Sequence, residues 1–139
     1  MAYDPDNIFA KIIRGEVPCF KVYEDNSTIA FLDIMPQAEG HTLVIPKEHA
    51  ETIFDLSPDS AAALITTTQK VAAAVKQVTK PPGIMLAQLN GAAAGQSVFH
   101  IHFHIIPRSG GIDLNLHARD KADFDKLKSL ATKISAALQ

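Results

Sequence analysis

The 139-residue sequence predicts an α+β protein, an antiparallel sheet of about five strands carrying one long packed helix, and three observations predict it. Two runs rich in Val, Tyr, Ile and Phe, Phe20 to Glu24 and Thr28 to Asp33, are separated by the polar triplet Asp25-Asn26-Ser27, the pattern of a hairpin with a short turn. Leu64, Val71, Val75 and Val78 fall on one helical stripe while Thr66, Thr67, Gln69 and Lys70 fall mostly elsewhere, so a long helix must pack on something broad. Strand and helix patterns are partly segregated rather than strictly alternating, which argues against a parallel sheet.

In chain order, Asp4-Pro5 reads as an N-cap with proline at the first helical position, and Ile8, Phe9, Ile12 and Ile13 give a short N-terminal helix that Gly15 stops. The hairpin follows, and a third strand, Thr42 to Ile45, comes after the loop Pro36 to Gly40. Ser57-Pro58-Asp59 caps the long helix, which runs to about Val78 and ends at Lys80-Pro81-Pro82-Gly83. Ile84 to Asn90 reads as a fourth strand and Val98 to Ile106 as a fifth. A C-terminal helix over about 120–138 places Phe124, Leu127, Leu130, Ile134 and Leu138 at helical intervals. Asp120, Asp123 and Asp125 stand near its start and Lys133 near its end, as the helix dipole favours. No repeat or low-complexity segment interrupts this order, and the length suits a single domain over 1–139.

A net charge of -2 from 13 basic and 15 acidic residues gives no electrostatic reason to expect a nucleic-acid or anionic-membrane surface. The start of the chain lacks a basic segment followed by an apolar run, and no apolar stretch is long enough to span a bilayer, so the expectation is a soluble, cytoplasmic protein. Cys19 is the single cysteine, which excludes an internal disulfide and a thiolate metal cluster.

The chemistry concentrates in His100-Ile101-His102-Phe103-His104. On a strand these residues alternate, turning three imidazoles to one face and Ile101, Phe103 and Ile105 to the other. Histidine is the one side chain whose ordinary pKa permits proton traffic near neutrality. The plain alternative is a solvated, His-rich strand face. Metal binding is the sharper rival, but the outer histidines of a strand stand roughly 13 Å apart, too far for one tetrahedral ion. Two of them would need outside ligands such as His41 or His49. The preceding loop, Asn90-Gly91-Ala92-Ala93-Ala94-Gly95-Gln96-Ser97, offers small residues, amides and a hydroxyl, suited to close approach of a phosphate, although such loops also simply connect strands. A neutral histidine can attack phosphorus, and flanking donors would stabilise the charge that develops.

His100-Ile101-His102-Phe103-His104-Ile105-Ile106 has the His-φ-His-φ-His-φ-φ form, and with it the chain resembles the histidine-triad (HIT) proteins. The likeness extends to Ile8 to Ile13, Glu24-Asp25, Ala30 to Ile34, His41 to Lys47 and Gly95-Gln96-Ser97, most of residues 7–108, and favours the Hint branch and its bacterial Hit relatives. The resemblance implies the HIT fold and hydrolysis of purine nucleoside 5′-phosphoramidates, of the AMP-amine type, through a covalent nucleotidyl-histidine. It makes His102 the nucleophile. His104, Ser97 and Gln96 would hold phosphate oxygens or the leaving group, with Gly95 in the same loop, and His100 and His41 would complete the polar network. Asp33 would accept from the ribose hydroxyls, Ile8, Phe9, Ile12, Phe31 and Ile34 would form the base pocket, and Asn90 would make a polar contact near the sugar and phosphate.

Apolar residues of that kind are more often ordinary core, and Asp33 reads equally as the end of a strand before a turn. His49 and His117 read as loop histidines. Several bacterial relatives bind structural zinc through a Cys-x-x-Cys pair, a histidine matching His49 and one of the triad; here Asn7 and Ala10 stand at the cysteine positions, so no metal and no cofactor is expected. The resemblance also implies a homodimer whose two sheets join into one of ten strands. Two other functions remain open: a dinucleoside polyphosphate hydrolase, and a nucleotide-binding or scaffold protein with weak catalysis.

Overall fold

The hairpin begins with one carboxylate. Asp25 Oδ1 accepts from the backbone N–H groups of Ser27 and Thr28, both at 2.8 Å, and so closes the turn between β1 (Lys21–Glu24) and β2 (Thr28–Leu32). The computed structural model describes residues 2–110 and 122–139. Its remaining elements are α1 (Ile8–Ile13), β3 (Thr42–Pro46), α2 (Pro58–Thr79), β4 (Gly83–Gln88), β5 (Phe103–Arg108) and α3 (Phe124–Ala137), with short 3₁₀ turns at Ile53–Asp55 and Ala92–Ala94. The five strands form one antiparallel sheet in the order β1-β2-β3-β5-β4, the α+β architecture that the sequence predicts.

Alternation along the strands gives the sheet two apolar faces. Ala30, Leu32, Val44, Ile101 and Ile105 pack with the predicted stripe of α2 and with Leu127 and Ile134 of α3. Ile29, Phe31, Leu43 and Ile45 pack on the opposite side with Phe9 of α1. Leu64, Val71 and Val75 are at most 1% exposed, and burying each contributes about 2 kcal/mol. Ser57 caps α2 as expected, its side chain accepting from Ser60 N–H, and Lys80 ends it in the left-handed region at φ 51°. Among the described residues no helix is long and apolar enough to cross a membrane.

Three expectations shift. Asn7, not Asp4, caps α1, because its Oδ1 accepts from Ala10 N–H at 2.9 Å, whereas the Asp4 carboxylate turns to Asp6 N–H and leaves Asp4-Pro5 in a preceding turn. The fourth strand stops at Gln88 rather than Asn90. The fifth begins at Phe103 rather than Val98. Beyond the pair Val44↔Phe103 the 98–102 segment leaves the ladder, and Ile101 N–H goes instead to Ala50 O at 2.9 Å. His100 and His102 therefore precede the strand, and only His104 lies on it. The side-chain alternation survives, since Ile101 still enters the helix-side core. The N-cap of α3 is Asp123; Asp120 and His117 lie outside the described residues.

Candidate active site

Departure of residues 98–102 from the ladder frees their polar groups to bond with side chains. His102 Nδ1 lies 2.7 Å from the carbonyl oxygen of His100. A carbonyl can only accept, so Nδ1 carries the hydrogen and Nε2 of the neutral ring is a bare lone pair. His100 is held at both nitrogens: Nε2 donates to Pro46 O at 2.7 Å, leaving Nδ1 to accept from Tyr3 OH at 2.5 Å. His41, at the start of β3, accepts from the backbone N–H of Gln37 at Nδ1, 3.0 Å away. Its hydrogen is therefore on Nε2, which donates to His104 Nδ1 at 3.0 Å. That leaves the hydrogen of a neutral His104 on Nε2. Backbone groups thus set the chain of tautomers, with a lone pair on His102 and an N–H on His104, their rings 4.9 Å apart and edge to face.

Burial favours the neutral form of His41, His100 and His102. Desolvation pushes His41 down to about 4, helped by nearby His102, and His100 also to about 4 against the hydrogen bond to Pro46. It pushes His102 down as well, opposed by the bond to the His100 carbonyl. Asp33 is pushed up by burial; Met35 N–H donates to its Oδ1 at 2.8 Å, and its Oδ2 lies 3.6 Å from His41 Nε2.

These groups open on a cavity of about 450 Å³. Of the residues expected from sequence, Ile8, Phe9, Asp33, Ile34, His41, Gly95, Ser97, His102 and His104 line it. Phe9 meets the His102 ring edge-on at 4.9 Å. The other expected residues stand behind the wall. Ile12 and Phe31 belong to the core under α1, with Phe31 against Phe9 at 5.5 Å. Asn90 is tied to Gln88 and accepts from Ile53 N–H at 2.9 Å. Gln96 is 3% exposed and its amide is spent internally, accepting from Gly91 N–H at 2.7 Å and donating to Glu51 O and Val98 O. It braces the loop instead of reaching into the cavity. Gly91 and Gly95, at φ 95° and 102°, supply the turns that a side chain would resist.

Several wall residues escaped the sequence reading, namely Met35, Gln37, Leu43, Ala87, Leu89, Val98 and Ile106. A signal existed for some: Leu43 of β3 and Ala87 of β4 flank His104 of β5 as its pairing partners, and Ile106 follows it by two residues on the same face. Tyr3 carried no pattern that could mark it.

Asp33, His41 and His104 each offer a ligand atom within 4.8 Å of the others, which makes them the one candidate metal group among the described residues. The donors do not fit. The only lone pair of a neutral His41 faces Gln37 N–H, and its Nε2 bears a hydrogen, so a metal at Nε2 would move that hydrogen to Nδ1 and set it against the Gln37 N–H. His100 likewise has both nitrogens engaged.

The HIT domain pattern matches residues 14–111. The Hit protein of Bacillus subtilis is 42% identical over 136 residues, 94% of this chain and 93% of that one. The adenosine 5′-monophosphoramidase of Schizosaccharomyces pombe is 46% identical over 101 residues, 73% of each chain. The crystal structure of a Hit-like protein involved in cell-cycle regulation from Bartonella henselae, with an unknown ligand, superposes with a TM-score of 0.91 at 48% identity over 99% of both chains.

Proposed function

The chain belongs to the HIT-domain family, and from that premise we propose that it hydrolyses purine nucleoside 5′-phosphoramidates through a nucleotidyl group carried on His102. The observation that carries this reading is the fixed tautomer of His102, which aims a lone pair rather than an N–H from a buried, neutral ring in the cavity wall. The phosphoramidase relatives support the choice of substrate.

In the first step His102 Nε2 bonds to the α-phosphorus and the P–N bond breaks, the departing amine taking a proton from a water molecule in the open cavity while His104 Nε2–H donates to a phosphoryl oxygen. The hydroxide so formed attacks phosphorus, the bond to His102 Nε2 breaks and the nucleotide is released, while the His41–His104 bond keeps hydrogen on His104 Nε2. Asp33 accepts from the ribose hydroxyls, and Ile8, Phe9, Ile34 and Leu43 face the base with apolar surface. Ser97, beside Gly95 at the cavity wall, donates to a phosphoryl oxygen. The protein works as a cytoplasmic homodimer; β4, at the end of the sheet order with Leu86 46% exposed, supports pairing at that edge.

The test is mass spectrometry of protein quenched during turnover of adenosine 5′-phosphoramidate. One adenylyl group on His102 is the expected result, absent from His102→Ala. Unchanged turnover by His102→Ala sinks the mechanism, and faster cleavage of dinucleoside polyphosphates than of phosphoramidates reassigns the substrate.

A further inference from the structure

The first residues of the chain fold back on the histidine segment. Asp4 organises them: its carboxylate accepts from Asp6 N–H at 2.9 Å, its carbonyl accepts from Asn7 Nδ2 at 2.7 Å, and Arg14 Nη1 donates to Pro5 O at 2.7 Å. This turn delivers Tyr3 to His100, 97 residues away in sequence. The Tyr3 ring stacks on His49 with centroids 4.7 Å apart and planes 16° from parallel, and meets His100 edge-on at 5.6 Å. Burial pushes the Tyr3 phenol up, so it is a protonated donor at neutral pH.

His100 Nε2 is committed to the Pro46 carbonyl, so its Nδ1 needs a donor, and at 0% exposure no solvent supplies one. The Tyr3 hydroxyl does. The His100 carbonyl accepts from His102 Nδ1, in a segment that the β3–β5 ladder does not hold. The His100 ring is thus the anchor for the peptide that orients His102.

We propose that Tyr3 is a positioning residue of the site: by anchoring the His100 ring, its hydroxyl holds the His100 carbonyl that keeps hydrogen on His102 Nδ1 and the lone pair on Nε2. This rests on the reading of His102 as nucleophile. Tyr3 is not part of the cavity wall, so its removal should act on kcat and spare KM.

Tyr3→Phe keeps both ring contacts and deletes one oxygen. The expected result is a roughly tenfold fall in kcat on adenosine 5′-phosphoramidate with KM within about twofold. Long-range proton–nitrogen correlation spectra of the free protein should show His102 leaving its single Nδ1–H form. Should that variant fail to fold, Asp4→Ala, which loosens the turn and leaves the tyrosine intact, is expected to move the same His102 signals in the same direction. Wild-type kcat together with wild-type His102 signals overturns the proposal whatever the melting temperature, and so does a change confined to KM. If the wild-type protein does not cleave phosphoramidates, the functional reading fails while the His102 signals still decide the part played by Tyr3.

Discussion

His102 Nδ1 and the carbonyl of His100, 2.7 Å apart and two residues apart in the chain, form a bond in which the backbone chooses the tautomer of a side chain. The choice is made by a main-chain carbonyl rather than a side chain, and it leaves the lone pair on the nitrogen farther from the backbone.

The pH dependence follows from the buried rings. In the proposed mechanism His102 reacts as the neutral form, and burial pushes its pKa below the ordinary 6.5, so the acid limb of kcat/KM should fall below pH 6.5. Measurement of kcat/KM between pH 4 and 8 checks this, and a limb above 6.5 contradicts it.

Stability moves with the same rings. His41 and His100 have folded-state values near 4 against 6.5 when unfolded, so between those limits the unfolded chain binds more protons. Stability is full above about pH 6.5 and is lost as pH falls toward 4, by on the order of 3 kcal/mol for each ring. Urea midpoints at pH 7 and pH 5 should differ in that direction.

Asp33 is expected to act on the sugar. Asp33→Ala should raise KM about tenfold with a smaller change in kcat, the loss of roughly one charge-assisted hydrogen bond. A 2′-deoxy substrate should then lose little further in the variant while losing affinity in the wild type. Equal losses in both proteins would separate Asp33 from the ribose.

Gln96 distinguishes bracing from ligation. With three internal bonds and 3% exposure, Gln96→Ala should lower stability by about 1–3 kcal/mol, read as the urea midpoint. A variant of unchanged stability with only KM raised would return Gln96 to the phosphate.

Gly40 couples the helix layer to the site. At φ 95° its position resists any side chain, and a Cβ there would lie 2.8 Å from Thr79 Cγ2 and 3.3 Å from Pro107 Cγ. Gly40→Ala should destabilise by about 1–3 kcal/mol and, being next to His41, lower kcat as well. Thermal unfolding and single-turnover kinetics check the two effects.

Much of the fold was legible because it rests on local periodicity: the stripe of α2, the Asp25 turn and the alternation of Ile101, Phe103 and Ile105 each need only neighbouring residues. The end of a ladder does not. That β5 starts at Phe103 depends on Ile101 N–H finding Ala50 O, a contact no spacing encodes. The site divides in the same way. His102, His104, Asp33 and Ser97 carry chemistry in their residue type, whereas Gln96 and Asn90 look like ligands and are consumed by bonds to Gly91, Glu51 and Ile53. Tyr3 is an ordinary tyrosine until the turn at Asp4 brings it to His100.

The strand order has a consequence for how the protein comes into being. β5, the last strand among the described residues, sits between β3 and β4, and it is the strand that carries His104. During synthesis β4 emerges with no neighbour to pair with, and the sheet closes only when β5 is inserted. Insertion of β5 therefore completes the sheet and brings His104 to His41 in the same step.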